Sequence, residues 1–128
     1  MIPERDLRIL QSFEGHGSIK LSAYLRMDTP ENRASAYSEF IKQMQARLDE
    51  CGTSHECREA LKEDTEIVAV YLRTNGRRHQ PGLAIFSCAA DLFWRVYPLP
   101  VALPSRVSVG PRFDIDPLRQ AVSQEAQA

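Results

Sequence analysis

Long apolar runs are missing from this sequence of 128 residues. None approaches the roughly 18 consecutive apolar residues of a membrane-spanning helix, and the charged start at residues 1–6 has no apolar signal core. Cysteine is also scarce, with Cys51, Cys57 and Cys88 alone in the sequence. Because three is an odd number, these cysteines do not indicate a secreted disulfide framework. We therefore expect a cytoplasmic protein with no membrane partner.

The sequence has too few residues at metal-ligand spacing to form a structural zinc site. Cys51, His55 and Cys57 lie within seven residues of one another. A structural zinc site needs four ligands, and no second pair with ligand spacing lies nearby. We predict neither a metal site nor a disulfide between Cys51 and Cys57, and we expect Cys88 to be a small buried apolar residue.

Catalytic and nucleotide-binding motifs are absent as well. The sequence has no P-loop, no G-x-G-x-x-G and, around Ser87, no G-x-S-x-G elbow. His16 and His79 lie in glycine-rich or polar loops, and an enzyme would require a pocket that holds one of them beside a carboxylate. We therefore predict that the chain is not an enzyme, needs no cofactor and has no small-molecule substrate.

Arginine, by contrast, is abundant and unevenly distributed. The net charge is −1, and 13 of the 16 basic residues are arginine. Residues 28–66 carry ten acids and five bases, whereas residues 73–112 carry six arginines and one acid, Asp91. Because arginine makes bidentate contacts with phosphate and stacks on flat rings, the second half could bind a nucleic acid. The same arginines could also form an ordinary solvated surface.

The spacing of apolar residues predicts the order helix, strand, helix, helix, strand, strand, strand, helix. Alternation in residues 18–26 indicates a half-buried strand, and Thr29-Pro30 has the residues of a helix start. The wholly apolar run 83–88 is typical of a central strand, and residues 92–97 follow it closely enough to form a hairpin. The other elements are expected over residues 4–13, 30–50, 54–72 and 106–109, and from residue 117 onward.

These elements predict one α/β domain over residues 1–118, followed by a flexible tail or the start of a linker over 119–128. We expect a layered structure in which a mixed sheet of about four strands is packed by two long helices. Trp94 and Phe86 are predicted to anchor the core against those helices.

Several segments together resemble a known family. They are a Ser-x-Tyr-Leu strand end at Ser22, Tyr24 and Leu25, a Gly-Leu-Ala-Ile-Phe strand at 82–86, a Tyr-Pro-Leu-Pro edge at 97–100 and a Val-Gly-Pro-Arg-Phe…Pro-Leu close at 109–118. Over residues 7–118 the sequence resembles the first domain of the bacterial relatives of the archaeo-eukaryotic release factors. These are cousins of the eukaryotic class-one release factor and of pelota.

The resemblance implies a layered α/β domain that faces the ribosome. Full-length members continue into a middle domain that carries the release chemistry, and its Gly-Gly-Gln motif is absent here. In the eukaryotic relatives the first domain reads the stop codon through an Asn-Ile-Lys-Ser loop and a Tyr-x-Cys-x-x-x-Phe strand. Here residues 51–54 lack the Asn-Ile-Lys, and residues 107–113 keep only Phe113. The resemblance therefore implies a docking domain more than a codon reader.

We accordingly predict a non-catalytic domain that docks on the ribosome or on RNA in translation termination or ribosome rescue. The predicted phosphate contacts are Arg77, Arg78, Arg106 and Arg112, with Phe113 stacking on a base. The alternative is a protein-interaction module, a homodimer formed through an exposed strand edge at 101–109, with no nucleic-acid role. RNA binding should weaken steeply with salt, whereas edge pairing should depend on protein concentration.

Overall fold

The structure is a computed structural model that describes the backbone of residues 2–15, 18–75 and 80–127 and the side chains of those ranges as far as residue 123. Within these ranges the chain forms four α-helices and four β-strands. In chain order they are α1 Glu4–Ser12, β1 Lys20–Arg26, α2 Pro30–Glu50, α3 His55–Asn75, β2 Gly82–Cys88, β3 Phe93–Leu99, β4 Arg106–Gly110 and α4 Asp116–Gln127. The predicted α/β class, the strand count and the two long helices are confirmed.

The four strands form one sheet in the order β3-β2-β1-β4, and every neighbouring pair is antiparallel. The prediction of a mixed sheet is therefore wrong for the described strands. The cause lies in the connection between β1 and β2, which contains two long helices. A single helix would return the chain to the end where β1 begins, and β2 would then run parallel to β1. The second helix carries the chain back to the end where β1 finishes, so that β2 runs antiparallel to it.

Both faces of the sheet are covered by helices, so that the domain has three layers. One face carries Leu21, Ala23 and Leu25 of β1 and packs against α2 and α3. The other face carries Tyr24 and Phe86 and packs against α1 and α4. This arrangement explains why β2 is buried at all seven positions and why its sequence is apolar except for Ser87.

Trp94 and Phe86 lie on different faces of the sheet. Trp94 is half-buried on the face of the long helices, where its ring lies 5.6 Å from that of Tyr71 on α3, as predicted. Phe86 is fully buried on the opposite face, against Tyr24 and Phe113. Alternation assigns neighbouring residues to opposite faces but does not say which helix covers which face, so the prediction for Phe86 is wrong.

The β4 edge is covered at its centre. The outward amide of Val107 donates to Gln43 Oε1 at 2.8 Å, and its carbonyl accepts from Arg47 Nη1 at 3.2 Å. Gln43 also donates to the carbonyl of Ser105 at 3.0 Å. The edge that we expected to be exposed at 101–109 is therefore bonded to side chains of α2 at this point.

The connection between α2 and α3 is closed by a disulfide. Cys51 and Cys57 are bonded, with their Cα atoms 5.7 Å apart. Gly52 follows α2 with a φ of +60°, a backbone conformation that favours glycine. The expectation that these cysteines are unbonded is wrong, because the tight turn brings them together. Cys88 is a free, buried cysteine, as predicted.

The helix expected from residue 117 onward is present, and it continues through most of the segment 119–128 that we expected to be a flexible tail or linker. Helix α4 runs to Gln127, and Ala121 is fully buried against the sheet. The helix is amphipathic, so its apolar side extends the packed region beyond residue 118. None of the described helices is both long enough and apolar enough to span a membrane.

Candidate nucleic-acid interface

Two of the four predicted arginines, Arg106 and Arg112, lie in the described part of the chain. Arg77 and Arg78 lie outside the described residues. Arg106 begins β4 opposite Tyr24, whereas Arg112 comes two residues after Gly110, which lies opposite Lys20. The two residues thus lie at opposite ends of β4.

Both described arginines are paired with acids. Arg106 is 3.4 Å from Asp114, and Arg112 is 3.4 Å from Glu14. Their side chains remain 62% and 66% exposed. Exposed pairs of this kind contribute little to stability, so neither arginine is locked away from a phosphate.

Phe113 belongs to the core. The residue is 6% exposed, and its ring lies 5.2 Å from Phe93, 5.5 Å from Phe86 and 5.7 Å from Phe13. A base could stack on it only if this aromatic cluster opened. We therefore correct its predicted role from base stacking to core packing.

Ser22 and Tyr24, which carry part of the family resemblance, hold the segment after β4 on the sheet. The Tyr24 hydroxyl donates a short hydrogen bond to the carbonyl of Asp114, and Ser22 Oγ accepts from the Asp114 amide at 2.8 Å. Burial, with the nearby Asp114 carboxylate, raises the pKa of Tyr24 far above its ordinary value, so its hydroxyl stays a donor. These residues position Arg106, whose partner is the Asp114 carboxylate.

A concave site at one end of the molecule brings together arginines that are far apart in the sequence. The arginine groove, as we call it, has a volume of about 450 Å³ and lies between the start of α2 and the end of α3. It is lined by Pro30, Arg33, Ala34, Ala36, Tyr37, Leu72 and Arg73. Arg33 also borders a smaller depression of about 110 Å³ beside Met27 and Pro81.

Local sequence explains the walls of the arginine groove. Thr29 caps α2, with its hydroxyl oxygen accepting from the Asn32 amide at 3.0 Å, and Pro30 occupies the first turn as predicted. Arg33 and Tyr37 are four residues apart and therefore share one side of α2. The small side chains of Ala34 and Ala36 leave the space that the groove fills.

Aromatic and cationic groups are in direct contact in the arginine groove. The Arg73 guanidinium lies 5.0 Å from the centre of the Tyr37 ring and donates to its hydroxyl at 2.7 Å. Arg33 donates to the carbonyl of Met27 at 3.2 Å. Each contact fixes a guanidinium and leaves other N–H donors of its fork available.

The two guanidinium groups of the arginine groove have no carboxylate partner in the described part of the chain, a property that exposed arginines such as Arg5 and Arg8 share. Arg26 pairs with Asp28 at 3.1 Å, and this contact lowers the pKa of the Asp28 carboxyl. Within the described ranges, Arg33 and Arg73 make no ion pair. The groove therefore presents two positive charges beside an aromatic ring, an arrangement that suits a phosphate group next to a base.

Sequence reasoning missed Arg33 and Tyr37 as site residues and counted Arg73 only among the basic second half. Tyr37 fits the helical spacing of apolar residues in α2, which does not mark it as a site residue. The available signal was the arginine four residues before an aromatic residue at the start of a capped helix. The contact with Arg73 depends on how α2 packs against α3, and the pattern does not contain that information.

The buried polar groups of β2 serve the fold. Ser87 donates to Asp64 Oδ1 at 2.5 Å, and the Ala89 amide donates to the same oxygen at 2.9 Å. Burial raises the pKa of the Asp64 carboxyl and also that of the Cys88 thiol, which therefore stays protonated rather than forming the nucleophilic thiolate. Among the described side chains, no three His, Cys, Asp or Glu residues cluster as metal ligands.

No family model matches the chain, and a search of curated proteins finds no match.

Proposed function

We propose that this chain is a non-catalytic docking domain that binds RNA on the ribosome, with the arginine groove holding the phosphate backbone. The observation that carries the proposal is that Arg33, Tyr37 and Arg73 line one groove, where Arg73 lies over the Tyr37 ring. Neither arginine has a carboxylate partner in the described structure. The two guanidinium groups supply phosphate contacts, and the aromatic ring supplies a stacking surface for a neighbouring base.

Other charges at the same end of the sheet support a polyanionic partner. Arg26 ends β1 and Arg106 begins β4, and the Arg26 amide donates to Ser105 Oγ at 3.0 Å. Arg26 and Arg106 already face acids, but their own side chains are 49% and 62% exposed and remain open to a phosphate. A charged strand of RNA would thus meet arginines on both sides of the first turn of α2.

The resemblance to the first domain of release-factor relatives favours ribosomal RNA as the partner, and termination or rescue as the process. The proposed role places the protein in the cytoplasm. It assigns no codon-reading function, since the loop at 51–54 and the segment at 107–113 lack the residues used for that purpose in the eukaryotic relatives.

Ribosome co-sedimentation tests the proposal. We expect the wild-type chain to pellet with ribosomes at about 50 mM monovalent salt and largely to be released at about 200 mM, because phosphate contacts weaken as counterions compete. The double variant R33E/R73E should fail to pellet at either salt concentration.

The matched control is R5E/R8E, which makes the same change in charge on α1, on the opposite face of the sheet, where both arginines are exposed. It should pellet like the wild-type chain. The proposal that the arginine groove binds RNA would be contradicted if the wild-type chain stayed in the supernatant at low salt. It would also be contradicted if the two double variants behaved alike.

A further inference from the structure

The two edges of the sheet differ in their unpaired backbone groups. On β3, Leu83 lies opposite Pro98, Ile85 opposite Val96 and Ser87 opposite Trp94. Proline has no N–H to give to a neighbouring strand. Alternation along an antiparallel ladder therefore turns the backbone groups of Trp94, Val96 and Pro98 away from β2. The other edge strand, β4, shows the same alternation. The backbone groups of Val107 point away from β1 and bond side chains of α2.

Only one of the outward groups of β3 has a partner in the described structure. The carbonyl of Trp94 accepts from Arg95 Nη1 at 2.9 Å. Among the described residues, nothing bonds the Trp94 amide, the Val96 amide and carbonyl, or the Pro98 carbonyl. An edge of this kind is a template for another strand.

The pattern of these groups is complementary to itself. Place a second β3 antiparallel to the first, with the two-fold axis at Val96. The Val96 amides and carbonyls of the two copies then bond each other, and each Trp94 amide meets the Pro98 carbonyl of the other copy. The Trp94 carbonyl faces a proline that cannot donate, and it is this carbonyl that Arg95 already bonds. All the unpaired outward groups are thereby satisfied by four hydrogen bonds.

Apolar side chains flank the same edge on both faces of the sheet. Ile67 and Val70 of α3 are 40% and 56% exposed, and Ile67 lies one turn from Tyr71, which contacts Trp94. On the other face, Ile9 of α1 is 38% exposed. Ile9 lies on the same side of α1 as Asp6 and Phe13. Asp6 accepts a hydrogen bond from Tyr97 of β3, and Phe13 packs against Phe93 of β3.

Leu92, which is 94% exposed and immediately precedes β3, completes the group of exposed large apolar residues in the described chain. Its φ of +54° is a conformation that branched side chains rarely adopt. These exposed apolar side chains belong to elements that border the β3 edge, which favours an interaction surface there.

Charge and space also permit a second copy. The two-fold register places Arg95 opposite Tyr97 of the other chain, and the Tyr97 hydroxyl donates to Asp6 at 2.9 Å. Arginine therefore meets a carboxylate across the axis. Helix α3 packs over β2, so the two copies of α3 would lie three strand spacings apart, about 14 Å. That distance exceeds the 8–10 Å of closely packed helices and leaves room for Trp94 and Tyr71.

We propose that two copies of this chain dimerise through β3, with the two-fold axis at Val96, to form one continuous eight-stranded sheet. The interface is isologous. It uses the edge opposite to the one that the sequence suggested, and it does not overlap the arginine groove, so the two proposals can fail separately.

Sedimentation equilibrium tests the interface. The wild-type chain should approach twice its mass of 14.5 kDa as concentration rises. Val96→Lys places a charge at the centre of the pairing and should raise the dimer dissociation constant by at least about tenfold. The matched control is Val109→Lys, a half-buried valine on the other edge strand, which faces the same helices. It should dimerise like the wild-type chain.

Cysteine cross-linking provides a second measurement that does not depend on a buried charge. Directly bonded antiparallel residues have Cα atoms about 5.5 Å apart, within the reach of a disulfide. Val96→Cys should form a covalent dimer on mild oxidation, whereas Val109→Cys should not. A monomer at every concentration would overturn the proposal. So would a dimer that Val96→Cys does not cross-link.

Discussion

At the scale of single residues, Asp64 carries the clearest test of the core. Its Oδ1 atom accepts hydrogen bonds from Ser87 and from the Ala89 amide, and these bonds join α3 to the end of β2. Asp64→Ala should lower the free energy of unfolding by about 2 kcal/mol, because both donors lose their acceptor. Asp64→Asn keeps an acceptor oxygen in place and should not show this loss. Urea denaturation of the two variants distinguishes them.

The same residue predicts a dependence on pH. Because burial raises the pKa of the folded Asp64 carboxyl above its unfolded value, the ionised form costs stability at neutral pH. As pH falls through the folded pKa, the folded wild-type chain takes up the proton and the cost disappears. Asp64→Asn should therefore be at least as stable as the wild-type chain at pH 7, with an advantage that shrinks on acidification. An advantage that grows in acid would contradict this assignment.

At the scale of elements, the contact between α2 and β4 decides which edge of the sheet is open. Gln43→Ala should lower the free energy of unfolding by about 1 kcal/mol, because the Val107 amide loses its acceptor. It should also add a concentration-dependent association at β4, visible by light scattering. Gln45→Ala is the control, since Gln45 is exposed and bonds only Asp49 on its own helix. Equal behaviour of the two variants would show that Gln43 does not protect this edge.

The disulfide between α2 and α3 makes a separate prediction. Closing so short a loop should stabilise the fold by about 2 kcal/mol through the unfolded chain. Reduction should lower the free energy of unfolding of the wild-type chain and leave C51S/C57S unchanged. Alkylation of the unfolded, unreduced chain should modify one of the three cysteines, namely Cys88. Modification of all three without a reductant would show that the bond is absent.

The order of the elements could be predicted from the sequence because it is a local property. Alternation in β1, the apolar run of β2 and the Thr29-Pro30 start of α2 each predict an element that is present. The half-buried strand predicted for β1 is instead buried at all positions but Arg26, because helices cover both faces of the sheet. The direction of strand pairing, the side on which Phe86 lies and the bond between Cys51 and Cys57 could not be predicted in this way. They depend on how the two long helices turn back on each other.

At the scale of the whole molecule, the three layers leave only the ends and one edge of the sheet accessible to partners. Helices cover both faces of the sheet, so what is left for partners is its ends and its open edge. The arginine groove occupies one end, where Arg33 and Arg73 are 40 positions apart in the sequence and meet only because α2 packs against α3. The sequence alone identified a basic second half. It could not show that Arg33, which lies in the acidic half, is close to Arg73 in the folded chain.

The most direct test of the central claim is the salt dependence of RNA binding, measured by fluorescence anisotropy with a labelled single-stranded oligonucleotide. If Arg33 and Arg73 each hold a phosphate, R33A/R73A should bind more weakly than the wild-type chain. The slope of log affinity against log salt should also be shallower by about 1.4, because each contact to a single strand contributes about 0.7. Identical slopes for the two proteins would contradict the account.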